Sequence, residues 1–150
     1  MSENLDALFL EALEARRTAN VDRAQDLLQQ IIRSEPRLPE PHLELGRLHL
    51  DAGRLEDALA ETREALKWLD LGGQWVDDLS EEVMLSLAHG QIAETLRRIA
   101  DTDEVIFGDP EGLKALLKEA TQHFDEAHKL DPENDHARMF SFQLKGEPKD

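Results

Sequence analysis

Apolar residues recur along this chain at intervals of three and four, the spacing that places them on one side of an α-helix. Over residues 5–17 the apolar set is Leu5, Leu8, Phe9, Ala12 and Leu13, with Glu11, Glu14 and Arg17 off the stripe. That pattern predicts a first amphipathic helix, broken at Thr18-Ala19-Asn20. Asn20 or Asp22 can cap a second helix, whose stripe is Ala24, Leu27, Leu28, Ile31 and Ile32 and which Pro36 and Pro39 close. Pro41 suits the first turn of a third helix, carrying Leu43, Leu45, Leu48 and Leu50 and ended by Gly53. Residues 55–69 predict a fourth, with Leu55, Ala58, Leu59, Leu66 and Leu69 inward, and Gly72-Gly73 stops it.

The second half reads in the same way. Residues 74–78 are too few for a domain linker and carry Trp75 and Val76, so they are expected to pack. Asp78 with Glu81 fits a capping box, Ser80 being the alternative cap, and the helix it opens runs to about Ala100 through Leu79, Val83, Leu87, Ile92, Leu96 and Ile99. Residues 101–108 read as an acidic loop. Asp109-Pro110 pairs a cap with a first-turn proline and starts a helix through Leu130, with Leu113, Leu116, Leu117, Ala120, Phe124 and Ala127 inward. Asp131-Pro132 resets the chain, and residues 136–144 predict a short last helix before a polar tail. No stretch alternates as a strand does, so the expected class is all-α, with seven helices mostly joined by short turns.

A longer period underlies these helices. Ala24-x3-Leu28-x2-Ile31-x4-Pro36 returns as Ala58-x3-Thr62-x2-Ala65-x4-Asp70, 34 residues on, and again as Ala120-x3-Phe124-x2-Ala127-x4-Pro132. A matching turn precedes each of the first two, from Ala19 to Ala24 and from Gly53 to Ala58. Small residues at such positions let two helix backbones approach closely, and the bulky one fills the gap beside them. With its first-helix half best seen in His42-x2-Leu45-Gly46-x2-His49, the pattern resembles the tetratricopeptide repeat. Departures are Glu11, where a leucine is expected, and Thr62 in the bulky slot. The third repeat is stretched by 28 residues. Its first helix fits as Met84-x2-Leu87-Ala88-x2-Gln91 or, with more apolar and small residues in place, as His89-x2-Ile92-Ala93-x2-Leu96.

The resemblance implies a right-handed superhelix of antiparallel helix pairs over residues 1–150: repeats at about 5–38, 39–72 and 73–133, then a C-terminal capping helix at about 134–145. It also implies a concave groove lined by the first helix of each pair. Carried onto this chain, that inner face holds Phe9, Leu13, Arg16 and Arg17, then Leu43, Arg47, Leu50 and Asp51, then Leu87, Glu94, Arg97 and Arg98. Five arginines there suit the carboxylates of an acidic or amphipathic segment, with Phe9, Leu13 and Leu50 as apolar anchors. Arg16-Arg17 and Arg97-Arg98 also fall in last helical turns, where they complement the helix dipole whatever the function. The lysine and asparagine pattern of members that clamp a C-terminal carboxylate is absent, which argues against a heat-shock-protein cochaperone.

Composition narrows the partner. The net charge is −16, split as −6 over residues 1–70 and −10 over residues 71–150, so phosphate backbones and anionic lipid are repelled. Zero cysteines exclude disulfides, thiolate metal sites and thiol nucleophiles. An acidic N-terminus and the absence of a long apolar run favour a soluble, cytoplasmic chain.

Candidate chemistry is thin. His123, His128 and His136 form the densest histidine group, but residues five apart on a helix face different ways, so no metal site is expected. His42 and His49 occupy packing slots of the repeat. No nucleophile elbow, phosphate loop or dinucleotide fingerprint exists, and no cofactor or catalytic activity is expected. Trp68 and Trp75 have no repeat slot. They either bury the insert against the outer, convex side or make a homodimer or partner contact. The leading expectation is an adaptor that binds a segment of another protein, with a dedicated secretion or assembly chaperone, or an enzyme's regulatory subunit, as alternatives.

Overall fold

A computed structural model describes residues 3–75 and 79–133 of the 150-residue chain. The described residues form seven helices and no strands: α1 (Glu3–Arg17), α2 (Val21–Ser34), α3 (Pro39–Asp51), α4 (Leu55–Asp70), α5 (Glu81–Ala100), α6 (Asp103–Gly108) and α7 (Pro110–Leu130). They fall into two compact units, Met1–Asp78 and Leu79–Asp150. In the first unit each helix packs on the next, α1 on α2, α2 on α3 and α3 on α4. In the second, α5 packs along α7, and α6 touches both.

The period of 34 residues reappears in the backbone hydrogen bonds of the first unit. After α1, Ala19 N–H donates to the Arg16 carbonyl at 3.1 Å and Asn20 N–H to that of Ala15 at 2.8 Å. After α3, Gly53 N–H donates to Leu50 at 3.0 Å and Arg54 N–H to His49 at 2.9 Å, each pair displaced by one period. Both turns need one residue in the left-handed region. Gly53 supplies it at φ 80°, whereas the first turn forces Ala19 to φ 63°. A β-carbon there costs about 1–2 kcal/mol, partly offset by the smaller unfolded-state entropy of alanine. Ala19→Gly is therefore expected to stabilise the protein by about 0.5–1 kcal/mol, read as a higher urea midpoint at unchanged m-value.

The core follows the small and bulky alternation. Ala12, Ala24, Leu28 and Ile31 are buried together with Leu5, Phe9, Leu27, Leu38, Leu45 and Leu48. In the second unit Ala93 of α5 meets Phe124 and Ala127 of α7. The Ser86 hydroxyl, fully buried, donates to the Ala127 carbonyl at 2.6 Å and ties the same two helices. Helix starts are capped where side chains allow: Asn20 accepts from Arg23 N–H at 3.4 Å, Ser80 from Val83 N–H at 3.2 Å and Asp109 from Gly112 N–H at 2.9 Å.

Two expectations change. The cap of α5 is Ser80, with Asp78 outside the described residues. Residues 103–108 are a short helix and not an acidic loop. The Thr102 carbonyl accepts from the N–H groups of both Val105 and Ile106, which starts α6. The expected last helix at 136–144 lies outside the described residues.

Candidate functional site

The face shared by α1 and α3 gathers aromatic, acidic and basic side chains that can recognise a ligand. Phe9 projects from α1 where the stripe of Leu5, Phe9 and Ala12 turns toward α2 and α3, and it is only 8% exposed. Its neighbour is Trp75, from the segment that follows α4: the rings lie 5.1 Å apart between centroids and 50° from parallel. The backbone N–H of Trp75 donates to Glu40 Oε2 of α3 at 2.9 Å. Trp75 thus bridges the first helices of the two pairs. Val76 lies outside the described residues.

Charge on this face is paired. Arg16 of α1 donates to Glu44 Oε2 of α3 at 2.5 Å. Burial pushes the Glu44 carboxyl above its ordinary range, and the nearby Arg16 and Arg47 guanidinium groups pull it back only in part. Arg47 also faces Asp51 at 3.7 Å along α3. On the exposed end of α1, Arg17 holds Glu14 through two hydrogen bonds of 2.9 and 2.5 Å, which lowers the Glu14 carboxyl. The face therefore offers ion pairs instead of bare cations.

The nominated residues divide accordingly. Phe9, Leu13, Arg16 and Arg47 belong to the α1 and α3 surfaces of the first unit, with Leu13 packed partly buried against its core. Leu50 is 0% exposed and offers no surface, and Leu43, at 9%, is buried to the same degree as Phe9. Arg97 and Arg98 stand in the last turn of α5, in the second unit, where Arg98 pairs with buried Glu94 at 2.9 Å. Sequence reasoning missed Glu40, Glu44 and the placement of Trp75. Glu40 and Glu44 carried one signal, as carboxylates on a helix that buries nearly everything around them.

His42 and His49 are tied into the packing of the first unit. His42 is buried, with Nε2 2.7 Å from the Pro36 carbonyl and Nδ1 3.3 Å from Glu61 Oε2 of α4. Burial works to lower its pKa, but hydrogen bonds to Glu61 and Pro36 outweigh it and raise the value above the ordinary 6.5. A folded pKa above the unfolded one stabilises the protein fully below the unfolded value and loses that contribution as pH rises through the folded value. The stability gap between wild type and His42→Gln is thus expected to be larger at about pH 5 than at about pH 8.5. Urea denaturation at the two values reads it, and an equal gap contradicts the bridge. His49 has the opposite shift: burial and then Arg54, which donates to its Nδ1 at 2.9 Å, lower its pKa.

In the second unit His89 Nδ1 and His123 Nδ1 lie 2.8 Å apart, with Glu119 Oε2 3.3 Å from His123 Nε2. Among the described residues no three His, Cys, Asp or Glu side chains converge as a metal would require. His136 lies outside them. Trp68, on α4, donates from Nε1 to Glu64 at 3.0 Å beneath the Lys67 ammonium, 4.7 Å from the ring centroid. An open cleft of ≈ 440 Å³ lies among α2, α3 and α4, lined by Ile32, Arg33, Leu45, His49, Asp57 and Glu61 with Gln29 and Ala60. Among the described residues no helix is long and apolar enough to cross a membrane.

Comparison with known proteins agrees with the helix pairing. Residues 15–74 match the family model described as tetratricopeptide repeat. No curated protein matches the chain. Among solved structures, the Arabidopsis OM64 TPR domain is similar with a TM-score of 0.71 and 12% identity, over 97% of this chain and 98% of that one. The first TPR of Spaghetti (RPAP3), solved bound to the HSP90 peptide SRMEEVD, has the same TM-score and identity over 97% of this chain and 94% of that one. Both likenesses are of fold. The 34-residue period of the turns falls within the residues 15–74 that match the tetratricopeptide-repeat model, and the described helices share the fold of tetratricopeptide-repeat domains.

Proposed function

We propose that this protein is a non-catalytic interaction module that binds a segment of a partner protein on the face of α1 and α3. One observation carries the reading: that face already receives a non-helical segment of polypeptide, through an aromatic contact at Phe9 and a backbone hydrogen bond at Glu40. Arg16 and Arg47, flanking Glu44, supply the charged part of the surface. An acidic segment gains there by exchanging with Glu44 or Asp51 for the same guanidinium groups. In the same reading α5 and α7 form the third helix pair. The contact of Ala93 with Phe124 and Ala127 supports His89-x2-Ile92-Ala93-x2-Leu96 as its first-helix pattern, as does Leu87, 42% exposed where the rival pattern needs it buried.

The RPAP3 domain was solved with an HSP90 peptide, and this chain shares its fold at 12% identity. Phe9 and Leu13 stand here where members that clamp a C-terminal carboxylate use polar side chains, so the proposed ligand is held along its length and not by its terminus. The test is a pull-down with wild type and a variant combining Arg16→Glu, Arg17→Glu and Arg47→Glu, with circular dichroism confirming that helicity persists. Partners captured by wild type are expected to be lost. Their retention by a folded variant means that another surface binds them.

A further inference from the structure

We propose that residues 72–75 are a built-in occupant of the α1/α3 face, and that the partner this face accepts is an extended segment presenting a large aromatic side chain in exchange for Trp75. The inference rests on the reading that the face binds a partner, and adds what that partner must carry.

The path of the segment is built into the end of α4. Gly72 N–H donates to the Leu69 carbonyl and Gly73 N–H to that of Trp68, both at 2.9 Å, closing the helix. Gly72 adopts φ +85°, which an L side chain strains to reach. A β-carbon on Gly73 would stand 3.0 Å from the Trp68 carbonyl oxygen and 3.7 Å from that of Arg37 in the α2–α3 connection. The turn therefore directs the chain back past Arg37, toward Glu40 at the start of α3 and Phe9 on α1.

What the face recognises is legible from how it holds Trp75. The tilted ring pair at 5.1 Å has the geometry favoured by aromatic side chains, with an indole filling the space beside Phe9. The second contact sets the backbone. Trp75 lies on non-helical chain, where its N–H is available to the Glu40 carboxylate; past the first turn of a helix that N–H would be committed to the carbonyl four residues earlier. Glu40 is buried, and a carboxylate receiving an N–H there makes a charge-assisted bond that an incoming extended segment can reproduce. Trp75 itself is only partly buried, and it is tethered by a few residues to α4. Such an occupant competes at an effective concentration of about millimolar, which a partner making additional contacts can exceed.

The test uses the full chain, as wild type, Trp75→Ala and Trp75→Phe. Each is titrated by amide NMR with an acetylated, amidated peptide of residues 70–75, and with the same peptide carrying alanine for tryptophan, up to the millimolar regime. Trp75→Ala is expected to bind the tryptophan peptide at least about tenfold more tightly than wild type, with shifts at Phe9 and Glu40, and to ignore the alanine peptide. Trp75→Phe keeps a ring on Phe9 and is expected to exclude the peptide as wild type does. Equal affinity of wild type and Trp75→Ala, equal response to both peptides, or no binding by any of the proteins overturns the proposal. So does loss of helicity in Trp75→Ala, since Trp75 is then structural support and not an exchangeable occupant. The arginine variant above reports on partner binding without any peptide, so the built-in occupant can fail while the partner reading stands, and the reverse.

Discussion

Phe124→Ala is expected to destabilise the protein by about 3–5 kcal/mol, the largest effect of any single truncation considered, because the ring is wholly buried and its neighbours cannot close the space. Ala93 and Ala127 surround it, and both are already at the smallest side chain that still fills a helix interface. Collapse would require α5 and α7 to move closer, yet Ser86 already fixes their separation by its 2.6 Å bond to the Ala127 carbonyl. A urea midpoint lowered by less than the equivalent of about 1.5 kcal/mol would show that the site collapses and that this packing argument is mistaken.

Leu28→Ala, at the equivalent slot of the first repeat, is expected to cost about 2–5 kcal/mol for the same reason. Leu28 is 1% exposed and sits in the cluster built from α1, α2 and α3. The intervening repeat provides the control. Thr62 fills that slot between Leu28 and Phe124 and is also fully buried, but its hydroxyl donates to the Ala58 carbonyl at 2.7 Å within its own helix. Thr62→Ala removes one methyl group and this intrahelical bond, so about 1 kcal/mol is expected. The three variants should rank Phe124, Leu28, Thr62 by loss of stability. A Thr62 variant as damaging as Leu28→Ala would mean that the slots are not equivalent in three dimensions.

Much of the fold was legible because its determinants are local. Helices α2, α4 and α7 follow from a 3.6-residue stripe, and Asn20, Ser80 and Asp109 mark starts because a side-chain oxygen there satisfies an N–H that the helix leaves open. Residues 101–108 were misjudged as loop since a six-residue helix shows too little of a stripe, and its contacts with α5 and α7 stabilise what propensity alone does not. The face of α1 and α3 was half legible. Repeat spacing nominates Phe9, Leu13, Arg16 and Arg47, but it treats each as free surface. The arginines instead meet Glu44 and Asp51, and Leu50 is buried despite its nominated position.

Local chemistry in the chain determined the all-α class, the 34-residue period, the caps and the small residues where backbones approach, since each depends on neighbours within one helix or turn. Tertiary structure decided which charges are neutralised and what covers Phe9. Arg16 and Glu44 are 28 residues apart, and Glu40 and Trp75 are 35 apart. Pairings at such separations arise only when α1, α3 and the segment after α4 are brought side by side, and helical periodicity fixes the face of a residue without fixing what lies across from it.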